Sequence, residues 1–132
     1  MLFDWRGFLL VAHEQRNDQR ESAQRTSLGR AYYYIYNIGL TAAKAQKFTM
    51  VPGKGGTHRQ LWSWYQNHPD QRMGQLGIEA YRMYSFRIDA DYIDAPIPNI
   101  ASQVMRQISR AQSIERSIAL IQGSTPPPTL SP

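Results

Sequence analysis

Apolar residues recur at three- and four-residue steps through most of this chain. The pattern is cleanest near the end, in the series Ile100, Val104, Ile108, Ala111, Ile114, Ile118 and Ile121. Side chains at this spacing fall on one face of an α-helix, which repeats about every 3.6 residues. No run of alternating apolar and polar residues is long enough for a convincing strand. The sequence therefore predicts an all-α protein, a bundle of four or five helices.

Clusters of proline, glycine and polar residues divide this pattern into five segments. The second helix is expected to end before TMVPGKGG and the fourth before DAPIPN, because proline and glycine disfavour a continuing helix. Thr57 followed by Gln60 fits a capping box at the start of a short third helix. Asn99 is the expected cap of the fifth. The other three helices are expected at about residues 4–16, 21–46 and 76–92.

The chain length predicts one domain. A protein of 132 residues is long enough to bury a substantial core, and residues 1–121 are expected to form it. The final stretch, GSTPPPTLSP, has four prolines and no charge. Residues 122–132 are therefore expected to be a disordered or polyproline-like tail.

The composition excludes several kinds of site. The chain has no cysteine, which removes disulfides and thiolate chemistry and suits a reducing compartment, so a cytoplasmic protein is expected. The three histidines, His13, His58 and His68, have no metal-ligand spacing, and neither a metal nor a cofactor is expected.

The N-terminal stretch lacks the features of a signal peptide. No apolar run approaches the roughly 20 residues of a membrane span.

The charge distribution leaves the kind of partner open. The formal net charge is +5, and 12 of the 15 basic residues are arginine. A basic face can bind nucleic acid or an acidic protein, whereas a solvated face is the commoner explanation.

Two short segments invite chemical interpretations that their context does not favour. In VPGKGGTHR, Lys54 lies among glycines, but a P-loop needs a preceding strand and a different residue order, so a flexible connector is favoured. The acidic stretch RIDADYID can hold a divalent ion or supply an acid–base pair. Surface acids paired with Arg82 or Arg87 are the simpler interpretation.

The second predicted helix carries a polar strip. Arg30 and Asn37 are seven residues apart, which is about 700° of helical turn, so their side chains lie within about 20° of each other and about 10 Å apart along the axis. Lys44 continues the strip. A solvent-facing strip is the ordinary interpretation, and a strip facing a cleft or a dimer seam is the alternative.

The same helix is apolar on two sides. The first side consists of Leu28, Ala31, Ile35, Ile38, Ala42 and Ala45, and the second of Tyr33, Tyr36 and Leu40. A helix that is apolar on two sides is either central in its bundle or covered by another chain. We expect a homodimer with these three residues in its interface.

Four elements of the sequence, in this order, resemble the HEPN family (higher eukaryotes and prokaryotes nucleotide-binding domain). They are DWRGFLLVAHE, SLGRAYYYIYN, GTHRQLWSWY after the glycine-rich loop, and RIDADY late in the fourth helix. The resemblance extends over about residues 4–121. The family consists of small helical bundles from prokaryotic toxin–antitoxin, CRISPR and other antiviral systems. In its active members an arginine and a later histidine form a metal-independent ribonuclease site, usually completed across a homodimer.

The resemblance places Arg30 at the arginine position and Asn37 at the histidine position. In that site the histidine moves protons and the arginine stabilises the developing charge. An asparagine amide does not titrate near neutral pH, and losing a general acid–base group typically costs about two to four orders of magnitude in rate. The resemblance therefore implies a degenerate catalytic pair.

We expect a non-catalytic, dimeric HEPN-like protein of a prokaryotic defence or toxin–antitoxin system. It would bind RNA, a nucleotide or a partner such as a nucleotidyltransferase or a CRISPR or other defence protein. Arg30, Lys44 and Lys54 are the expected phosphate-binding residues. One alternative is a metal-independent endoribonuclease in which His58 replaces the missing base. A second is a structural adaptor whose arginines pair with an acidic protein.

Overall fold

The computed structural model describes residues 3–132, and its regular structure is entirely helical. No strand occurs within that range. The five helices are α1 (Arg6–Glu14), α2 (Glu21–Ala45), α3 (Thr57–Gln66), α4 (Gln71–Tyr92) and α5 (Ile100–Ile121). The prediction of an all-α bundle is confirmed.

The central element of the bundle is α2. Its 25 residues span about 37 Å at about 1.5 Å per residue, and it packs against each of the other four helices. Its buried side chains point in several directions around its axis, from Leu28 and Tyr32 to Tyr34 and Ala43. Helices of the same chain therefore account for both apolar sides of α2.

The apolar series of α5 forms much of the core. Six of its seven members are buried against the other helices, and the isoleucines and the valine among them each contribute roughly 1.5–3 kcal/mol relative to exposure if fully buried. The same buried face also contains two polar residues. Gln107 is 2% exposed and Glu115 is 5% exposed.

The fourth helix begins five residues earlier than the sequence predicted. Asp70 is its N-cap, and its Oδ1 accepts a hydrogen bond from the backbone N–H of Arg72 at 2.9 Å. The cap satisfies one of the free N–H groups in the first turn, so the helix starts at Gln71 rather than near Leu76.

The third helix begins at the expected residue, but the predicted capping box is wrong. Its N-cap is Gly56, and no side chain caps the first turn. Gln60 instead bonds the preceding loop, accepting from Val51 N at 2.8 Å and donating to Val51 O and Gly55 O at 3.0 and 2.9 Å. The side chain expected to cap α3 therefore fastens the glycine-rich loop to it.

None of the helices found in residues 3–132 is long and apolar enough to cross a lipid bilayer. Residues 124–132, called the proline-rich segment below, form neither helix nor strand. The sequence predicts a disordered or polyproline-like tail over residues 122–132, and in the structure the proline-rich segment lies against α1 and α5.

Candidate functional site

A shallow cleft of about 480 Å³ between α2 and α4, called the Arg30 cleft, contains the arginine that the sequence singled out. The Arg30 side chain is exposed, and its guanidinium carbon lies 4.8 Å from the centre of the Phe8 ring. Within residues 3–132, Arg30 forms no ion pair. The guanidinium is therefore supported by an aromatic face while its N–H donors remain free for a ligand. The other lining residues are Ser22, Arg25, Thr26, Gly29, Tyr33, Ala90 and Asp91.

The neighbouring arginine of the cleft, Arg25, is already committed to the fold. Its guanidinium donates to the carbonyl oxygens of Ala90, Ile93 and Ala95 at 3.2, 2.6 and 2.6 Å, and it pairs with Glu21 at 2.9 Å. These contacts satisfy carbonyl groups at the C-terminal end of α4. Arg25 therefore joins α2 to α4 and has few donors left for a ligand.

On the α4 side of the cleft, Arg87 is also occupied. It pairs with Asp91 at 3.0 Å, donates to the Tyr33 hydroxyl at 2.5 Å, and lies 4.9 Å from the centre of the Tyr33 ring. The pairing with Asp91 agrees with the simpler interpretation of the acidic stretch. Arg87 also fixes the orientation of Tyr33, which lines the cleft beside Arg30.

The structure does not bring Asn37 into the Arg30 cleft. Asn37 lines a separate pocket of about 280 Å³, called the Glu115 pocket, which is bordered by α2, α5, Trp5 and the proline-rich segment. Its side-chain amide donates to the carbonyl oxygen of Tyr33 at 2.8 Å, one turn back along α2. The two positions share a helical stripe, but α4 borders the stripe at one position and α5 at the other.

His58 lies in α3 among aromatic rings and does not line the Arg30 cleft. The ring centres of Tyr32, Tyr33, Tyr36 and Tyr84 are 5.5, 6.1, 4.2 and 5.1 Å from the centre of its imidazole. We call these five residues the His58 cluster. Tyr33 belongs both to this cluster and to the wall of the Arg30 cleft.

A hydrogen-bond chain fixes the His58 ring. Trp62 Nε1 donates to the Tyr32 hydroxyl oxygen at 2.9 Å, and that hydroxyl lies 2.6 Å from His58 Nδ1. The direction of this second hydrogen bond depends on the tautomer of His58, because the hydroxyl can donate to Nδ1 or accept from an Nδ1–H. Burial, with a smaller contribution from the positive charge of Arg87, lowers the pKa of His58. The ring is therefore neutral at neutral pH.

The two predicted phosphate-binding lysines are exposed, but neither lines the Arg30 cleft. Lys44 lies fourteen residues after Arg30, which is about 21 Å along the α2 axis. Lys54 lies in the glycine-rich loop that Gln60 fastens to α3. The three cations are thus spread along the molecule rather than gathered in one cavity.

The residues predicted to form a dimer interface are each partly buried within the chain. Tyr33 contacts Arg87 of α4, Tyr36 packs on His58 of α3, and Leu40 packs against the core. Intramolecular packing accounts for these contacts, and the homodimer stays a prediction.

Sequence reasoning missed a buried charged group between α1, α2 and α5. Glu115 Oε2 accepts a hydrogen bond from Arg6 Nε at 2.9 Å and another from the Tyr34 hydroxyl. A signal for it was present, because Glu115 follows Ala111 by four residues and Ile108 by seven and so lies on the apolar face of α5. A carboxylate on such a face needs a charged or hydrogen-bonding partner.

Within residues 3–132, no group of histidine and acidic side chains is arranged to hold a metal ion. Comparisons of the chain with protein-family models, with curated proteins and with solved structures found no match.

Proposed function

We propose that this protein is a non-catalytic, HEPN-like binding module of a prokaryotic defence or toxin–antitoxin system, acting as a homodimer, and that its Arg30 cleft binds a phosphate of RNA or of a nucleotide. The observation that carries the proposal is the state of Arg30, which is exposed, supported by Phe8 and without a carboxylate partner in residues 3–132. An arginine in this state has its full set of donors available for phosphate oxygens.

The groups around the cleft favour binding over cleavage. Asp91, the one lining carboxylate, is paired with Arg87, and no histidine lines the cleft. Asn37 cannot transfer protons, and its amide is bonded to a carbonyl in a different pocket. Phosphodiester cleavage through a 2′-hydroxyl needs a group that takes up a proton, and the cleft does not offer an unpaired one.

Tyr33 gives the cleft a second means of binding nucleic acid. Its ring lies in the wall beside Arg30 and is held by Arg87. Aromatic rings in basic grooves stack on nucleobases without strong sequence preference. A single-stranded segment with its phosphate at Arg30 and a base against Tyr33 is therefore the ligand class that we propose.

The test is RNA binding by fluorescence anisotropy at several salt concentrations, for the wild type and Arg30→Ala. Arg106→Ala is the matched control, because Arg106 is an exposed arginine of α5 outside the cleft and loses the same charge. We expect Arg30→Ala to weaken binding and to reduce the slope of log K against log salt by about one unit, as for a lost phosphate contact. Equal effects of the two variants would reject the cleft as the binding site.

One observation supports the alternative of a metal-independent ribonuclease. His58 is neutral near pH 7, as a general base must be, and Tyr33 lies between its cluster and the Arg30 cleft. Against this, His58 Nδ1 is hydrogen-bonded to the Tyr32 hydroxyl, and His58 does not line the Arg30 cleft. Incubation with RNA in the absence of metal separates the two proposals. Cleavage that disappears in both Arg30→Ala and His58→Gln would establish the enzyme.

The adaptor alternative predicts a different ligand. An acidic protein surface would compete for the exposed arginines without needing the Tyr33 ring. Tyr33→Leu is therefore expected to weaken RNA binding and to leave the binding of an acidic polypeptide such as polyglutamate unchanged.

Light scattering at micromolar concentration tests the homodimer, and a monomer there would remove the dimeric part of the proposal.

A further inference from the structure

The proline-rich segment lies along a groove between α1 and α5, called the α1–α5 groove. A cavity of about 260 Å³ is enclosed between the segment and the two helices. Leu130 is partly buried there and packs against the core. On the helices, the cavity is lined by His13, Arg16, Met105, Ile108, Ser109 and Gln112.

Side chains of α1 bind the backbone of the segment. Each contact uses a carbonyl oxygen of the segment as acceptor, so α1 recognises the extended main chain rather than particular side chains. The pairs are Arg6 with Pro128 at 2.8 Å, His13 with Ser131, and Arg16 with Pro132 at 2.9 Å.

The opposite wall adds two contacts. Gln112 Oε1 of α5 accepts from the backbone N–H of Leu130 at 2.7 Å, and Arg116 donates to the Thr129 hydroxyl at 2.7 Å. Polar groups on both walls of the groove thus bind the segment on either side of Leu130, the apolar side chain that it inserts.

The chemistry of groove and segment is complementary. Four of the nine residues of the segment are proline, which has no N–H, so its main chain presents more acceptors than donors. The walls supply mainly donors, from three arginines and a histidine. Consecutive prolines also restrict the chain to an extended form before binding, which lowers the entropy lost when it docks. The groove therefore recognises the segment by side-chain donors and an apolar anchor, whereas many polyproline-binding domains use grooves lined by aromatic side chains.

We propose that the α1–α5 groove is a binding site for proline-rich extended peptides without charged side chains, and that residues 124–132 are its resident ligand within the same chain. The site is separate from the Arg30 cleft and does not depend on the function proposed there. It is coupled to the Glu115 pocket, because Arg6 binds both Pro128 O and Glu115 and because Ser124 and Pro127 border that pocket. Release of the segment opens the pocket that contains Asn37.

The test uses the full chain with Leu130→Asp, which removes the apolar anchor without altering a helix. A fluorescent peptide with the wild-type sequence of residues 124–132 is titrated into this variant and into the wild-type chain. A tethered segment acts at an effective concentration of about a millimolar, so a resident ligand of modest affinity should weaken apparent peptide binding to the wild type by roughly tenfold. Circular dichroism of both proteins verifies that the helices are intact.

Two further variants in the Leu130→Asp background locate the peptide. Arg16→Ala removes one backbone contact and should weaken peptide binding by about three- to tenfold. Arg59→Ala is the matched control, because Arg59 is exposed on α3 and should leave binding unchanged. A peptide that itself carries Leu130→Asp should not bind. With both of its ends blocked the peptide has no charged group of its own, so its binding should depend little on salt, unlike RNA binding at the Arg30 cleft.

Three results would overturn the proposal. The first is a helical Leu130→Asp chain that does not bind the peptide, and the second is peptide binding that Arg16→Ala leaves unchanged. The third is a concentration-dependent dimer of the wild type that Leu130→Asp dissolves, because it would assign the bound segment to a second copy. A dimer that Leu130→Asp leaves intact is consistent with binding of the segment within its own chain. That result would concern only the homodimer of the proposed function.

Discussion

Tyr32 and Tyr34 are two residues apart on α2, yet they lie in opposite kinds of environment. The Tyr32 hydroxyl joins Trp62 and His58 in a neutral hydrogen-bond chain among aromatic rings. The Tyr34 hydroxyl donates to Glu115, which also pairs with Arg6. Burial is the main cause of the raised pKa of both hydroxyls. The comparison shows that one helix can support a neutral network and a charged one on nearly opposite faces.

The two networks should respond differently to the loss of a member. In the neutral network, a lost partner leaves uncharged donors or acceptors unsatisfied, which typically costs about 1–3 kcal/mol. In the charged network, a lost carboxylate leaves a partly buried guanidinium without its counter-charge, and breaking a buried pair in this way typically costs about 3–5 kcal/mol. The free energy of unfolding can therefore test the distinction.

The largest expected effect is that of Glu115→Ala. It should lower the free energy of unfolding by about 3 kcal/mol, at the low end of the range for buried pairs because the Arg6 side chain is 20% exposed. Chemical denaturation followed by circular dichroism measures this loss. Glu115→Gln, which retains an oxygen acceptor for both partners, should cost less. A loss below about 1 kcal/mol for the alanine variant would show that the charge pair does not stabilise the fold.

Tyr32→Phe should have the next largest effect. It leaves the indole N–H of Trp62 and the Nδ1 of His58 without their partner, so we expect a loss of about 2 kcal/mol in the same denaturation assay. Tyr81→Phe is the control, because the Tyr81 ring packs on Tyr84 and its hydroxyl has no hydrogen-bond partner within residues 3–132. If both variants lost the same free energy of unfolding, the hydrogen-bond chain would make no measurable contribution to stability.

Gly39→Ala tests how tightly the aromatic side of α2 is packed. A Cβ at this position would lie 2.6 Å from Trp62 Cη2, which is too close for the ring to stay in place. Overpacking of this kind costs about 1–3 kcal/mol, partly offset by the better helix propensity of alanine, so the net loss should be about 1–2 kcal/mol. At Gly29 of the same helix nothing lies within 4 Å of the added Cβ. Gly29→Ala should stabilise the protein by about 0.5–1 kcal/mol, and a loss there instead would contradict the packing argument.

The pH dependence of stability should give the smallest effect. Because the fold lowers the pKa of His58 below its ordinary value of 6.5, the unfolded chain takes up a proton first as the pH falls. The stability that neutral His58 contributes is therefore present above about pH 6.5. It is lost as the pH falls from there to the lowered pKa of the folded ring, and below that pKa there is no further loss. Denaturation midpoints from pH 8 to pH 5 should fall more for the wild type than for His58→Gln. Identical slopes for the two proteins would mean that His58 is not buried as a neutral ring.

Local signals in the sequence predicted the helices well. The apolar series of α5 is the face that the structure buries, and the start of α5 after Asn99 and the end of α4 at Tyr92 are where the sequence placed them. Predictions of the hydrogen-bond partners of individual side chains were less accurate. Gln60 bonds the glycine-rich loop instead of capping α3, because three backbone groups of that loop lie within its reach.

The arrangement of the candidate site could not be predicted from local sequence patterns. Helical geometry correctly places Arg30 and Asn37 on one stripe of α2, but it contains no information about which helices border that stripe at each turn. In the folded protein the two residues line different cavities. The same limit applies to Tyr33 and Tyr36, whose apolar side is covered by α3 and α4 of the same chain.

The sequence by itself therefore determined the helical class, the core face of α5, and the glycine- and proline-rich breaks between helices. These properties depend on the spacing of residues that are neighbours in the chain. Tertiary structure alone decided the separation of Asn37 from Arg30, the partners of Glu115 and the seating of residues 124–132 on α1 and α5. Each of these depends on which surfaces meet when residues distant in the chain, in one case 116 positions apart, are packed together, and local periodicity does not encode that choice.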